Sequence, residues 1–294
     1  MVLLSSWLRA IRIRFLLASV IAVSNGLAIA YWKSGTIDPL YAGLTYAGVA
    51  CLHASVDLLN DYWDHKRGID SATTRTKFSG GTGVLPENVL TPKAVYTAGV
   101  MFLILGGAVG AYFVAVRGVT IAAILGFAVV AIYFYSTSIV NSGLGELFVA
   151  IKGAMIVLGT FFVQTGLIDP AAIFVGVIVG LLSATVLFVN SFPDFDADKS
   201  KGRRTLVILM GKQKAVQAFP IFIIAAYALI VAGIFLGFTK VYSLASFASL
   251  PFAIKAISAV RKNPASAQEF VPAMSSAVTY SRITGFVLAV SLLF

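Results

Sequence analysis

The sequence predicts an all-α polytopic membrane protein with about nine transmembrane helices. Three observations carry that expectation. The 294 residues are 59% hydrophobic and only 12% charged, whereas soluble domains carry about 25% charged residues. Mean hydropathy is +0.93. Apolar runs near the roughly 20 residues needed to cross a bilayer recur at roughly 15–33, 40–62, 94–115, 118–137, 145–167, 170–192, 215–237, 241–260 and 272–294. Gly and Pro punctuate most of the gaps, and no strand-like alternation persists long enough for a β-barrel.

The first run follows Arg9, Arg12 and Arg14 and ends in "GLAIA". Ala28-x-Ala30 resembles a signal-peptidase site, but the spans that follow favour a retained first helix. The second run ends in "NDYWDHKRGID", Asn60 to Asp70, and the sixth in "NSFPDFDADKSKGRRTL". Lys152 lies in the fifth run and Arg282 in the ninth. The chain reads as one membrane domain over 1–294.

Charge orients this topology. With the N-terminus in the cytoplasm, the N-terminal segment and the even-numbered loops hold seventeen of the 22 cations. Lys33, Arg117 and Lys240 are left on the other side, and Lys152 and Arg282 lie inside spans. That bias matches the positive-inside rule for a cell-membrane protein with a cytoplasmic N-terminus. It also accounts for the net charge of +10 without nucleic acid. The single cysteine, Cys51, excludes an intrachain disulfide and a thiolate metal cluster. His53 and His65 are too few for a zinc site; His53 reads as a satisfied polar group in a helix and His65 as a loop residue.

Half of the 12 acids lie in two short segments: Asp61, Asp64 and Asp70 in one, Asp194, Asp196 and Asp198 in the other. Both segments close a span on the same side. At 100° per residue, Asp57, Asn60, Asp61 and Asp64 fall within roughly a 100° arc of one helix. Asn190, Asp194 and Asp198, spaced i, i+4, i+8, would share a face of another, with Asp196 pointing away. Like charges one turn apart repel unless a cation lies between them. Mg²⁺ takes oxygen ligands and is commonly shared between carboxylates and substrate phosphates. Lys66, Arg67, Arg75 and Lys77 follow the first group, and Lys199, Lys201, Arg203 and Arg204 the second. Carboxylates mixed with Lys and Arg suit a Mg²⁺–diphosphate complex. "SGGTG", Ser79 to Gly83, reads as a flexible turn ahead of a phosphate cradle.

These residues resemble the UbiA superfamily of intramembrane aromatic prenyltransferases. "NDYWDHKRGID" fits its N-D-x-x-D motif with a further Asp downstream. Asp194, Asp198, Gly202, Thr205 and Leu206 fit the D-x-x-x-D-x-x-x-G-x-x-T-L motif of the 1,4-dihydroxy-2-naphthoate (menaquinone-pathway) branch. "WLRAIR" at Trp7–Arg12 and "GLGELFVAIKGAMIVLGTFFVQTG" at Gly143–Gly166 are similar to that branch too, so the resemblance spans residues 7 to about 211. Ile13 stands where the branch usually has Pro. The loop after "YFYSTS" is short and lacks a Lys-Tyr pair, while Lys152 is unusual. These departures lie where the acceptor would be read.

The resemblance implies nine helices around a central cavity with both Asp motifs at its cytoplasmic mouth. It implies Mg²⁺-dependent transfer from an isoprenyl diphosphate to an aromatic acceptor, with the bilayer as the source of lipid substrate. Asn60, Asp61, Asp64, Asp194 and Asp198 would hold the metal, with Asn60, Asp64 and Asp198 as the catalytic set. Lys66, Arg67, Arg75, Lys77, Lys201 and Arg203 would meet the diphosphate. Phe134, Tyr135 or Phe188 would face the allylic cation, and Arg12 or Lys152 an acidic acceptor. 1,4-Dihydroxy-2-naphthoate is the first acceptor; 4-hydroxybenzoate and a glyceryl phosphate stay open. A secondary transporter is the rival from another class, supported by Arg282 and Lys152. A lipid-headgroup phosphotransferase would need a D-G-x-x-A-R motif, which is missing from the sequence.

Overall fold

A computed structural model describes the chain except Met1, Ser71, Asn263 and Ala265. The described residues form twelve α-helices: α1 (Val2–Ala10), α2 (Ile13–Ser34), α3 (Pro39–Lys66), α4 (Pro92–Arg117), α5 (Val119–Phe134), α6 (Gly145–Thr165), α7 (Pro170–Asn190), α8 (Phe195–Ser200), α9 (Leu206–Met210), α10 (Lys212–Phe235), α11 (Leu250–Arg261) and α12 (Val271–Ser291). A π-helical turn, Tyr135–Ile139, extends α5, and a 3₁₀ segment, Val241–Ser249, leads into α11. No strand occurs among the described residues.

Local chemistry sets many boundaries. α3, α4 and α7 each open with Pro behind Asp38, Thr91 or Asp169. Those side chains accept the backbone N–H of Tyr41, Ala94 and Ala171 at 3.0, 3.3 and 2.7 Å. Proline's missing N–H is one of the donors a helix start leaves unpaired anyway, and the capping oxygen satisfies another. α2 and α6 stop at Gly35 and Gly166, both in the left-handed region, where a side chain is costly.

Among the described residues, eight segments are long and apolar enough to cross a membrane: α2, α3, α4, α5 with its π turn, α6, α7, α10, and the 3₁₀ segment with α11. The expectation of nine is therefore matched by composition at eight. α12 has 21 residues, the length of a span, but Ser275, Ser276, Thr279, Ser281, Arg282 and Thr284 lower its hydropathy. His65 is in the last turn of α3 and not in a loop.

Contacts sort the segments between helices into two ends. At one end Arg9 reaches the Thr82 carbonyl and Glu87, Arg67 reaches Ser136 and Lys201, and Gln268 reaches the Arg75 carbonyl. At the other, Lys33 pairs with Asp169, Arg117 donates to the Val163 carbonyl, and Lys240 lies over the Trp32 ring. The three cations set apart by the sequence thus gather at the second end.

The tightest helix pair is α6 with α7. Gly176 and Gly180 form a G-x-x-x-G stripe that lets backbones meet. A Cβ on Gly180 would sit 2.1 Å from the Ala150 carbonyl oxygen, and one on Gly153 would sit 2.8 Å from Gly180 Cα. Lipid offers no hydrophobic gain for joining helices, so this fit has to come from packing. Gly180→Ala is expected to destabilise the protein by about 1–3 kcal/mol, read as a lower unfolding midpoint in detergent. An unchanged midpoint would show that the two helices are not held at this distance.

Candidate active site

A cavity of about 420 Å³ runs from Asp64 and Asp198 at the first end to Thr45, Ile121 and Val163 near the second. Its walls are mostly apolar side chains of α2 to α7. Both acidic segments reach its polar end.

α3 delivers Asn60 and Asp64 one turn apart. Asn60 Nδ2 donates to Asp64 Oδ2 at 3.0 Å, and Ser136 in the π turn donates to Asn60 Oδ1 at 2.9 Å. π turns recur at functional sites, and this one also puts Tyr135 on the cavity wall. The second segment does not continue α7 as one helix, contrary to the i, i+4, i+8 expectation. α7 ends at Asn190 and a turn containing Pro193 intervenes. Proline removes a donor and clashes with helical backbone before it. Asp194 then stands immediately before α8, which carries Asp198. Asn190, Asp194 and Asp198 nevertheless all line the cavity. Asp196 points out and pairs with Lys212.

Arg203 joins the two segments. Its guanidinium donates to Asp64 Oδ1 and, at 3.3 Å, to Asp198 Oδ1. Asp64 and Asp198 are buried and the Arg203 side chain is 12% exposed. Asp194 Oδ2 accepts the Gly80 N–H at 3.1 Å, and Ser79, Gly80 and Gly81 line the cavity. "SGGTG" is thus part of the wall and more than a turn. Gly80, Gly81 and Gly83 have φ of 80°, 72° and 80°, and a Cβ on Gly81 would meet Asp70 Oδ1 at 2.5 Å. Only glycine suits such a backbone.

Crowded, buried acids resist ionisation. Burial, then the neighbouring Asp198, pushes the Asp194 carboxyl up to about 7. Burial, then Asp61 and Asp64, pushes Asp70 up to about 7, and burial raises Asp198 as well. Both desolvation and like charge act in that direction, and a bound cation would reverse it. Asn190 Oδ1 and Asp194 Oδ1 are buried without a hydrogen-bond partner. Unpaired oxygens of this kind are suitable donors for a hard cation such as Mg²⁺. Among the described residues no three acids, histidines or cysteines are already grouped at metal-ligand spacing; Arg203 stands between Asp64 and Asp198 instead.

Of the residues singled out by sequence, Asn60, Asp64, Asp194, Asp198, Arg203, Arg12, Tyr135 and Lys152 line the cavity. Others are placed differently. Asp61 turns from the cavity: Arg12 donates to its Oδ1 at 2.8 Å and Thr82 to its Oδ2. Lys66 is exposed and lies over the Tyr62 and Trp63 rings. Arg67 is used on Ser136, Asn141 and the Lys201 carbonyl, and Arg75 on Glu87. Lys77 and Lys201 are exposed. Phe134 is 46% exposed, whereas Phe188 is buried against Phe192 and Phe222. Arg282 lines the cavity and donates to the Arg14 carbonyl. Asn190 went unweighted as a ligand, although its place one turn before Asp194 was a usable signal.

Arg12 owes its position to backbone. Among the described residues it is one of two non-glycine residues with positive φ, at 45°, and it breaks α1 from α2. That left-handed residue costs energy and sends the guanidinium to Asp61, which is 1% exposed. Arg12→Met would leave a buried carboxylate unpaired and is expected to lower stability by about 3–5 kcal/mol. The pairs of Glu87 with Arg9 and Arg75, 29–42% exposed, are screened by water, so Glu87→Ala should cost less than about 1 kcal/mol per pair. Parallel thermal melts in detergent test the contrast; equal losses would refute it.

Comparison with known proteins gives the family and the fold. The UbiA prenyltransferase family profile matches residues 18–277. The 1,4-dihydroxy-2-naphthoate octaprenyltransferase of Bacillus subtilis is 28% identical over 95% of this chain and 89% of its own. That of Escherichia coli is 29% identical over 71% of this chain and 70% of its own. Among solved structures, a digeranylgeranylglyceryl phosphate synthase aligns with a TM-score of 0.66 at 18% identity, covering 100% of this chain and 99% of the other. A UbiA homologue from Archaeoglobus fulgidus bound to DMAPP and Mg²⁺ aligns at 0.65 and 13% identity, covering 97% and 99%. Family match, fold and converging acidic segments lead to one conclusion: this chain belongs to the UbiA prenyltransferase family and is a multi-pass membrane prenyltransferase.

Proposed function

We propose that the protein transfers an isoprenyl group from an isoprenyl diphosphate to an aromatic acceptor, 1,4-dihydroxy-2-naphthoate being the first choice, with Mg²⁺ as cofactor. The observation that carries this reading is the convergence of Asn60, Asp64, Asp194 and Asp198 at one end of a largely apolar cavity. The naphthoate prenyltransferases among its relatives support the acceptor, and the Mg²⁺-bound homologue supports the metal. The whole chain, 1–294, is read as the single domain that does this.

Asn60, Asp64, Asn190, Asp194 and Asp198 would hold Mg²⁺. When bound, the ion supplies positive charge that neutralises the diphosphate and stabilises it as a leaving group. The chain's own residues do the rest. Arg203, held between Asp64 and Asp198, is placed to meet phosphate oxygens as a preorganised donor. The Gly80 N–H holds Asp194 in place at that end. Apolar side chains keep water from the allylic carbon as its bond to oxygen weakens, and Tyr135 offers a ring face nearby. With the N-terminus cytoplasmic, the cation-rich end and its acids face the cytoplasm, following the positive-inside rule.

The test is purified protein with Mg²⁺, labelled isoprenyl diphosphate and a panel of 1,4-dihydroxy-2-naphthoate, 4-hydroxybenzoate and a glyceryl phosphate. Prenylated naphthoate is expected. Asp64→Ala and Asp198→Ala should each lower turnover by at least about 10³-fold, the scale of losing a preorganised charge-stabilising group, without loss of the folded state. Near-normal turnover in either variant would show that the acids have another role.

A further inference from the structure

A second polar cluster lies deeper in the same cavity. Ser19 of α2, His53 and Asp57 of α3, and Lys152 of α6 all line it. Asp57 is seven residues before Asp64, which puts it two turns, about 10 Å, further along the helix. Lys152 is seven residues into α6 and therefore lies about as deep. His53 Nδ1 is 2.6 Å from Ser19 Oγ, and its Nε2 faces Asp57 Oδ2 at 3.4 Å. The serine hydroxyl and one ring nitrogen thus share a hydrogen bond, and the other ring nitrogen faces the acid. Asp57 Oδ2 is buried and has no hydrogen-bond partner.

Helix packing does not account for this arrangement. A histidine bonded to a serine is ordinarily a settled core group, and that would explain Ser19 and His53 alone. It leaves an acid and an ammonium facing a cavity with largely apolar walls, where unpaired charge is costly. Something that occupies the cavity completes them.

We propose that Asp57 and Lys152, with His53 and Ser19 orienting the acid, form the acceptor-binding subsite and select a hydroxylated aromatic ring. This rests on the prenyltransferase reading of the acidic end. A phenolic hydroxyl is both donor and acceptor. It donates to Asp57 Oδ2 and accepts from the Lys152 ammonium. An acceptor and a donor on facing helices suit a hydroxyl, which is both. A phosphate dianion has only acceptors to offer and would face the Asp57 carboxylate. The acceptor is thereby held below the diphosphate, with its ring toward the allylic carbon. Both residues are binding groups in this assignment, while His53 and Ser19 are positioning residues.

Steady-state kinetics of the full-length protein with Mg²⁺, an isoprenyl diphosphate and 1,4-dihydroxy-2-naphthoate test it. Asp57→Asn and Lys152→Met should each raise the acceptor KM by roughly 10–100-fold, the scale of one charge-assisted hydrogen bond. The donor KM should stay within about twofold, and Mg²⁺-dependent retention of labelled donor without acceptor should be unchanged, which also reports folding. Lys152→Arg should recover much of the acceptor affinity. If Asp57→Asn fails to fold, Lys152→Met carries the test. An unchanged acceptor KM, or equal rises in both KM values, overturns the subsite while leaving the prenyltransferase reading intact. Wild-type turnover of a glyceryl phosphate with no hydroxylated aromatic overturns the acceptor class in both readings.

Discussion

The site is organised by the buried bridge from Asp64 through Arg203 to Asp198. These residues come from the end of α3, the loop after α8 and α8 itself. Lipid-facing helices have little reason to prefer one partner to another, but a buried carboxylate does. Removing one member would leave uncompensated charge, so the bridge specifies which helix ends meet. The acids are then collected at one end of the cavity, and the residues between them become the wall.

Around that bridge the structure uses its other cations as ties. Arg12 holds Asp61, Arg67 holds the π turn and the Lys201 carbonyl, and Arg75 and Arg9 share Glu87. Each fastens one of the long segments over the polar end. The cost is a set of crowded acids that resist ionisation, which fits a place where a multivalent cation and an anionic substrate complete the charge balance. Deeper in, the walls are largely apolar, with a small polar patch at Asp57 and Lys152. The cavity thus has a charged end and a separate polar patch, chemistry suited to two different substrates.

Much of this was legible from the sequence. Span positions follow from apolar run length, because a bilayer leaves few ways to hide a backbone. Asn60, Asp64, Asp194 and Asp198 were readable because acids are too costly in membrane to be accidental. The cations were less readable. Lys66, Lys77 and Lys201 turned out exposed, and Arg67 and Arg75 are bonded elsewhere. Loop residues have no periodicity, so nothing local says which way a side chain points. Asp61 shows the same limit on a helix: an arc of roughly 100° is wide enough to include a side chain that faces a neighbour instead of the cavity.

By itself the sequence determined the solvent, the helices and the two acidic segments, since each depends on composition or spacing along one chain. Tertiary structure decided which charges meet. The left-handed turn at Arg12, the π turn at Tyr135 and the break at Pro193 each redirect a few side chains by an amount no pattern of residues records. The partnership of Asp57, His53, Ser19 and Lys152 joins three helices separated in sequence by up to 133 positions. Only packing brings them together, because proximity across helices depends on how α2, α3 and α6 close around a shared space.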